Sequence, residues 1–287
     1  MNIESISPEY YTLKEFKFNN GKVLENQTVE YMTMGTPQYD DEGHITNAII
    51  YFHGTSGNYG SIKRIGVALG ENLPFDTNKF FFVSLSTLGT PGSSSPSTSK
   101  LNSDYPEYTI LDMVNFNKKF LDECLNIVSP LGLIGNSMGG FEAVTWAAVY
   151  PDDISFLISL VSSYKVGGQN YVLSKVMNDI ITYDKDFNNK KVTGDLKRAL
   201  ELSSKAMYSF GLSRQFYMDQ STSDIDKYMD EFAMEDSQED VLDAYYRNNA
   251  SMNYDLTDII SNITAKTLII GIYEDQYFPP ELDAIPM

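Results

Sequence analysis

Hydrophobic and polar positions divide the chain into short apolar runs and stretches of helical period. Residues 9–36 read as strands around a turn at Asn19-Asn20-Gly21. Asn47–Phe52 (NAIIYF), Phe80–Leu85 (FFFVSL), Gly132–Gly135 (GLIG), Ile154–Val161 (ISFLISLV) and Thr267–Ile272 (TLIIGI) are further strand candidates. Ser61–Gly70 reads as a helix. So does Thr109–Leu125, where Ile110, Met113, Val114, Phe120, Leu121 and Cys124 share one face. A third helix runs from Met138 to Tyr150. After a β-rich start, strands and helices alternate, and several strands are continuous apolar runs. That combination predicts an α/β fold with a mostly parallel sheet and helices on both faces. Residues 164–250 break the alternation with helical, polar, tyrosine-rich sequence. No flexible linker flanks them, so they read as an inserted helical cap, between a core of residues 1–163 and its continuation at 251–287.

Composition narrows the picture. The chain has 287 residues, 42% hydrophobic and 21% charged, which suits a globular protein and excludes disorder or a collagen-like repeat. No apolar run nears the ~18 residues of a membrane helix. The start, MNIESISPEYY, has neither a basic nor an apolar stretch, so no secretory signal is expected. Cys124 is the single cysteine, which excludes an internal disulfide and a cysteine-based metal cluster. Both observations fit a cytoplasmic location. The net charge of −18 opposes nucleic acid and anionic membranes as partners. Asp219–Asp243 carries ten acids and one base, Lys227. Ile225, Tyr228, Met229 and Phe232 repeat there at helical spacing, so the acids read as the solvated face of a helix, with a docking surface for a basic partner as the other reading. Gly89–Ser99 (GTPGSSSPSTS) is a loop, because Gly, Pro and Ser punctuate it throughout.

The candidate chemistry begins at Gly135-Asn136-Ser137-Met138-Gly139-Gly140, a G-x-S-x-G motif directly after an apolar strand and before a helix. A serine on that bend lifts its hydroxyl above the sheet edge, and small flanking residues let the turn form. The backbone N–H of Met138, at the helix start, is one expected oxyanion donor. A second is expected from the backbone near Thr55, in His53-Gly54-Thr55-Ser56-Gly57. His53 itself reads as a buried, hydrogen-bonded histidine, with general base as the rival role. Asp275, just past strand 267–272, stands where a serine triad finds its orienting acid, and Glu274 is its competitor. Lys63 and Arg64 are placed to meet phosphates, or are ordinary surface charges.

These stretches resemble the homoserine O-acetyltransferase family of α/β-hydrolases. The resemblance rests on NAIIYFHGTSGN (47–58), LGTPGSSSPS (88–97), YPEYTILDMVNFNKKFLDECLNI (105–127), LIGNSMGGFEAVTWAAVYPD (133–152) and NYDLTDIISNITAKTLIIGIYEDQYFPPE (253–281). It implies an α/β-hydrolase fold, Ser137 as the acyl-accepting nucleophile, Asp275 as the triad acid and a homodimer. It also implies ping-pong chemistry, with an acyl group passing from acyl-CoA to Ser137 and then to the hydroxyl of homoserine or a similar acceptor. Acyl-CoA enters as a substrate, and no bound cofactor or metal is expected. The partners are a small-molecule acyl donor and a hydroxyl acceptor. The family's substrate-binding arginine has no clear counterpart, and residues 171–187 offer Lys175 and Asn178 instead. Arginine clamps a carboxylate with two bonds and lysine does not. Glu142 stands where the family usually has glutamine.

The family's base histidine lies downstream of DQYFPP, whereas this sequence has only His44 and His53. Loss of the triad histidine costs on the order of 10⁶ in turnover. Truncation of an active enzyme is the expected reason, since ELDAIPM ends the chain without a closing helix. A non-catalytic relative that binds acyl compounds or a protein partner is the alternative. Strand 267–272 is then expected to form an unprotected apolar edge. Whether water or an amino-acid hydroxyl is the final acceptor, esterase or transferase, stays open at this level.

Overall fold

The computed structural model describes residues 7–287. The expectation that no secretory signal opens the chain rests partly on residues 1–6, which lie outside the described residues. Strands β1 (Glu9–Lys17) and β2 (Val23–Gly35) form an antiparallel hairpin. Its turn closes with the Phe18 N–H bonded to the Lys22 carbonyl, and Gly21 supplies the left-handed φ of 86°. Five strands follow in the same sheet: β3 (Ala48–Phe52), β4 (Phe81–Leu85), β5 (Gly132–Asn136), β6 (Phe156–Leu160) and, after the two short strands β7 (Phe187–Asn188) and β8 (Lys191–Val192), β9 (Lys266–Ile270). The sheet order is β1-β2-β4-β3-β5-β6-β9. The pairs β3·β4, β3·β5, β5·β6 and β6·β9 are parallel, and β2 meets β4 antiparallel. This is the mostly parallel α/β architecture that the apolar runs predicted.

The core lies on both faces of the central strands. Every residue of β3 is buried, Ile50 and Phe52 in a large cluster with Val83, Leu133 and Trp146, and Ile49 and Tyr51 in a smaller one with Met34, Phe82 and Ile134. Helices α1 (Ile110–Leu125) and α2 (Met138–Val149) bury their apolar residues in the larger cluster. Thr109 caps α1 by accepting from the Asp112 N–H, while the Asp112 carboxylate accepts from the Thr109 N–H. Asn126, at φ 55°, ends it. The smaller face is covered by Tyr59–Ala68, which is a 3₁₀ helix rather than the expected α-helix of 61–70. Asn58 caps it, and its only fully buried side chain is Ile62, so little packing favours a longer helix. Cover on both faces fails at one end: Leu268, Ile270 and Ile272 are 51%, 42% and 56% exposed, which leaves β9 as the apolar edge the sequence predicted.

Between β6 and β9 the chain forms α3 (Gly168–Thr182), α4 (Lys197–Gly211), α5 (Arg214–Asp219), α6 (Thr222–Asp236) and α7 (Val241–Met252). The β7–β8 hairpin was not anticipated in this helical stretch. Asn189 and Lys190 both take positive φ there, a turn conformation that hydrophobic periodicity does not report. In α6, Ile225, Met229 and Phe232 are half-buried, and the Phe232 ring lies 5.4 Å from that of Tyr208 on α4. The loop 89–99 is buried in its middle and pinned to α7. Asp243 accepts from Ser95 Oγ at 2.9 Å and from the Ser97 N–H at 2.9 Å. Arg247, 2% exposed, donates to the Gly89 carbonyl and pairs with Glu239. Among the described residues no helix is long and apolar enough to cross a membrane.

Candidate active site

Ser137 joins β5 to α2 at φ 55° and ψ −120°, a left-handed conformation that a non-glycine residue holds only under constraint. Hydrogen bonds on both sides of the residue hold it there. The Ser137 N–H donates to the Leu160 carbonyl at 3.0 Å, and its own carbonyl accepts from the Gly140 N–H and from Ser162 Oγ, both at 2.8 Å. The flanking glycines answer to close packing. A Cβ on Gly135 would overlap the Gly139 carbonyl, and one on Gly139 would overlap the carbonyl of Phe52. The bend is therefore locked between two strands and a helix, with the Ser137 side chain half-exposed.

Ser137 opens into a cleft of about 510 Å³. Thr55 lines the same cleft, and the glycine before it, Gly54, approaches so closely that a Cβ there would sit 3.4 Å from Ser137 Cβ. The loop is folded by a Gly57 N–H to Gly54 carbonyl bond of 2.9 Å. Met138 is the first residue of α2, so its N–H has no acceptor within the helix. Met138 and Thr55 thus flank Ser137 from two sides. Asp275 lies on the cleft wall too, while Glu274 is exposed and absent from it. Asp275 Oδ1 accepts from the N–H groups of Tyr277 and Phe278 at 2.8 and 2.9 Å, which fixes the carboxylate at the strand end.

His53 is 1% exposed, and both its nitrogens are engaged. Nδ1 donates to the Gly54 carbonyl at 2.7 Å, because a carbonyl can only accept, and Nε2 accepts from the Thr87 N–H at 3.2 Å. Burial, reinforced by the charges of Arg247 and Arg64, lowers its pKa to about 4. It is a neutral strut under the loop of residues 53–57. His44 sits in a surface turn beside Asp40 and Glu42. Among the described residues, then, no histidine lines the cleft. Glu142 on α2 is completely buried and accepts from Thr87 Oγ1 and Asn117 Nδ2, each at 2.7 Å. Burial pushes its carboxyl up to about 8. Thr87 thereby ties α2 to His53 and, through it, to the loop of residues 53–57.

The opposite wall comes from the helices between β6 and β9: Met207 and Tyr208 of α4, and Phe232, Glu235 and Asp236 of α6. Sequence reasoning missed these residues. Asp236 accepts from Ser204 Oγ at 2.8 Å, and burial raises its carboxyl, with Glu239 and Glu235 adding to the effect. Arg64 lies on the near wall and makes no ion pair among the described residues. Lys175 and Asn178 are not brought to the cleft. Lys175 pairs with Asp179 one turn along α3, and Asn178 is buried against α7, donating to Asn249 and accepting from Asn248, both at 2.8 Å. This placement does not bring the two expected substrate-binding residues to the serine cleft, since each is bonded within its own helix or to its neighbour. No group of three or more His, Cys, Asp or Glu among the described residues could hold a metal.

A sequence model of the α/β hydrolase fold matches residues 47–284. The chain is 45% identical over 285 residues to a probable acyltransferase of Methanothermobacter thermautotrophicus, covering 99% of this chain and 88% of that one. It is 25% identical over 328 residues to a homoserine O-acetyltransferase of Methanohalobium evestigatum, covering 97% of this chain and 65% of the relative's length. The crystal structure of homoserine O-acetyltransferase from Bacillus anthracis superposes with a TM-score of 0.82 at 21% identity, covering 98% of this chain and 86% of the other, a likeness of fold. With its locked serine bend and a 45%-identical relative described as a probable acyltransferase, the chain belongs to the α/β-hydrolase fold family and is an enzyme.

Proposed function

We propose that Ser137 carries an acyl group between a small acyl donor and a hydroxyl acceptor. The carrying observation is the juxtaposition of the strained Ser137, the Thr55 loop and Asp275 around one cleft. In this reading Ser137 Oγ attacks the acyl carbonyl and forms the new C–O bond. The N–H groups of Met138 and Thr55 take the charge that develops on the carbonyl oxygen. The bond to the donor's leaving group then breaks, and the acyl-enzyme is left for the acceptor hydroxyl. A thioester such as acyl-CoA suits the donor role, and homoserine or a related hydroxyl compound suits the acceptor role. Asp275 would orient a base and stabilise its protonated form. The described residues place no base beside Ser137, so the proton must leave to solvent or to an added base, and acylation of this 287-residue chain is expected to be slow.

Intact-mass measurement after incubation with an activated acetyl ester or acetyl-CoA tests the reading. One acetyl group is expected on the protein, mapped to Ser137, and none on Ser137→Ala. Equal acetylation of both proteins would sink it. Product analysis with and without homoserine then tells transfer from hydrolysis.

A further inference from the structure

Ser137 shares its unusual backbone with a second residue of the cleft. Val161, which follows β6 and lines the same cleft, takes φ 42°. A β-branched residue in the left-handed region is a genuine outlier, and such outliers gather at sites where the strain serves a function. Glycine would adopt this backbone without strain. The turn alone therefore does not call for valine, and the half-buried isopropyl group is to be explained by what it does in the cleft.

The place of Val161 is tightly fixed. The residues on either side of it both bond to Ser137: the Leu160 carbonyl accepts from the Ser137 N–H at 3.0 Å, and Ser162 Oγ donates to the Ser137 carbonyl at 2.8 Å. The Val161 N–H donates to the Ile270 carbonyl of β9 at 2.8 Å. The parallel register that pairs Asn136 with Leu160 carries on to set Val161 beside Ser137. Thr55, Ser137, Val161 and Asp275 thus follow the ends of four successive strands, β3, β5, β6 and β9. Neighbouring strands lie about 4.8 Å apart, so Val161 occupies the step between Ser137 and Asp275. In the acyl-transfer reading the Thr55 side takes the carbonyl oxygen. The leaving group and the acceptor then pass on the Asp275 side, over Val161.

We propose that Val161 sets which acceptors reach the acyl group, admitting an unbranched primary hydroxyl and excluding a branched secondary one. The assignment rests on the acyl-transfer reading above. In the step that Val161 controls, the acceptor oxygen bonds to the acyl carbon, the bond from that carbon to Ser137 Oγ breaks, and the acceptor's proton ends on Ser137 Oγ. A hydroxyl carbon that carries two substituents brings one of them against the isopropyl group.

The test offers the full chain an activated acetyl ester with 1-propanol or 2-propanol, isomers that differ only in branching at the hydroxyl carbon. Propyl and isopropyl acetate are measured by gas chromatography, less the amounts formed with Ser137→Ala. The wild type is expected to favour 1-propanol by about ten-fold or more, the scale of one methyl group against a pocket wall. Val161→Ala and Val161→Gly should cut that preference to about three-fold or less, and Val161→Ile should raise it. Glycine relieves the strained backbone, so the altered preference of Val161→Gly is expected at an undiminished melting temperature, which sets it apart from misfolding. A wild type that transfers to both alcohols equally, or variants that keep its preference, would overturn the assignment while acyl transfer stands. Wild-type Ser137 that gains no acetyl group by intact mass overturns the acyl-transfer reading and the assignment with it.

Discussion

The two walls of the cleft are built by different means. On the sheet side, positions are set by backbone: the Ser137 bend, the Gly54–Gly57 turn and the Asp275 carboxylate clamped by two N–H groups. On the helical side, α4 and α6 line the cleft with Met207, Tyr208 and Phe232, the two rings tilted by 52° to each other, and with Glu235 and Asp236, which bring negative charge. Backbone positioning is suited to a reaction that needs the same geometry for every substrate. Side chains on amphipathic helices can be exchanged without unfolding the sheet, so they are suited to choosing among substrates.

Substitutions can break this contrast. The largest effect is expected from Gly139→Val, whose side chain would collide with the Phe52 carbonyl. Stability should fall by more than about 4 kcal/mol, seen as a melting temperature lowered by ~10 °C or more.

Next comes Glu142→Gln, beneath the sheet wall. A carboxyl raised from 4.5 to about 8 is stable in the fold only while protonated, so its stability is fully present below pH 4.5 and lost as pH rises through about 8. Glutamine keeps an oxygen for Thr87 and Asn117 and cannot ionise. The variant should gain about 2–4 kcal/mol over the wild type near pH 8.5 and little near pH 5, measured by urea unfolding at both. His53 acts in the opposite sense. Lowered from 6.5 to about 4, it gives stability that is whole above pH 6.5 and is lost as pH falls toward 4. Acid unfolding should therefore persist in Glu142→Gln.

A free base sharpens the comparison further. Added imidazole should speed acetylation of Ser137 by up to about 10²-fold in stopped-flow assays, and leave Ser137→Ala unchanged. The smallest effect belongs to the helical wall. Glu235→Gln with Asp236→Asn should shift the relative rates of cationic and anionic acceptors by about 3–10-fold, on the scale of exposed charge interactions. Acetylation by a neutral ester should stay within about two-fold.

The same contrast explains what could be read in the sequence. Gly135, Gly139 and the apolar strand before Ser137 announce the bend because close packing excludes other residues there. Strand ends place Thr55 and Asp275 by the logic of a parallel sheet. The amphipathic stripe of α6 shows which side is covered, but not that its last turn, Glu235 and Asp236, faces Ser137 across the cleft. That depends on where α4 and α6 lie over the sheet, which no local period encodes. Lys175 and Asn178 show the converse error. Suitable chemistry in the right stretch of chain does not fix proximity, and the helix turns those groups toward Asp179 and α7. The 3₁₀ helix at 59–68 and the β7–β8 hairpin escaped for a smaller reason, since both follow from turn geometry more than from burial.

The sealing of His53 changes how chemical probes of this protein are to be read. Acylating reagents that seek imidazole will reach His44 in its surface turn and find the other ring closed on both nitrogens. Inactivation by such a reagent would therefore not mark a catalytic imidazole within these residues, and labelling of His53 would instead report that the loop beneath Thr55 had come apart.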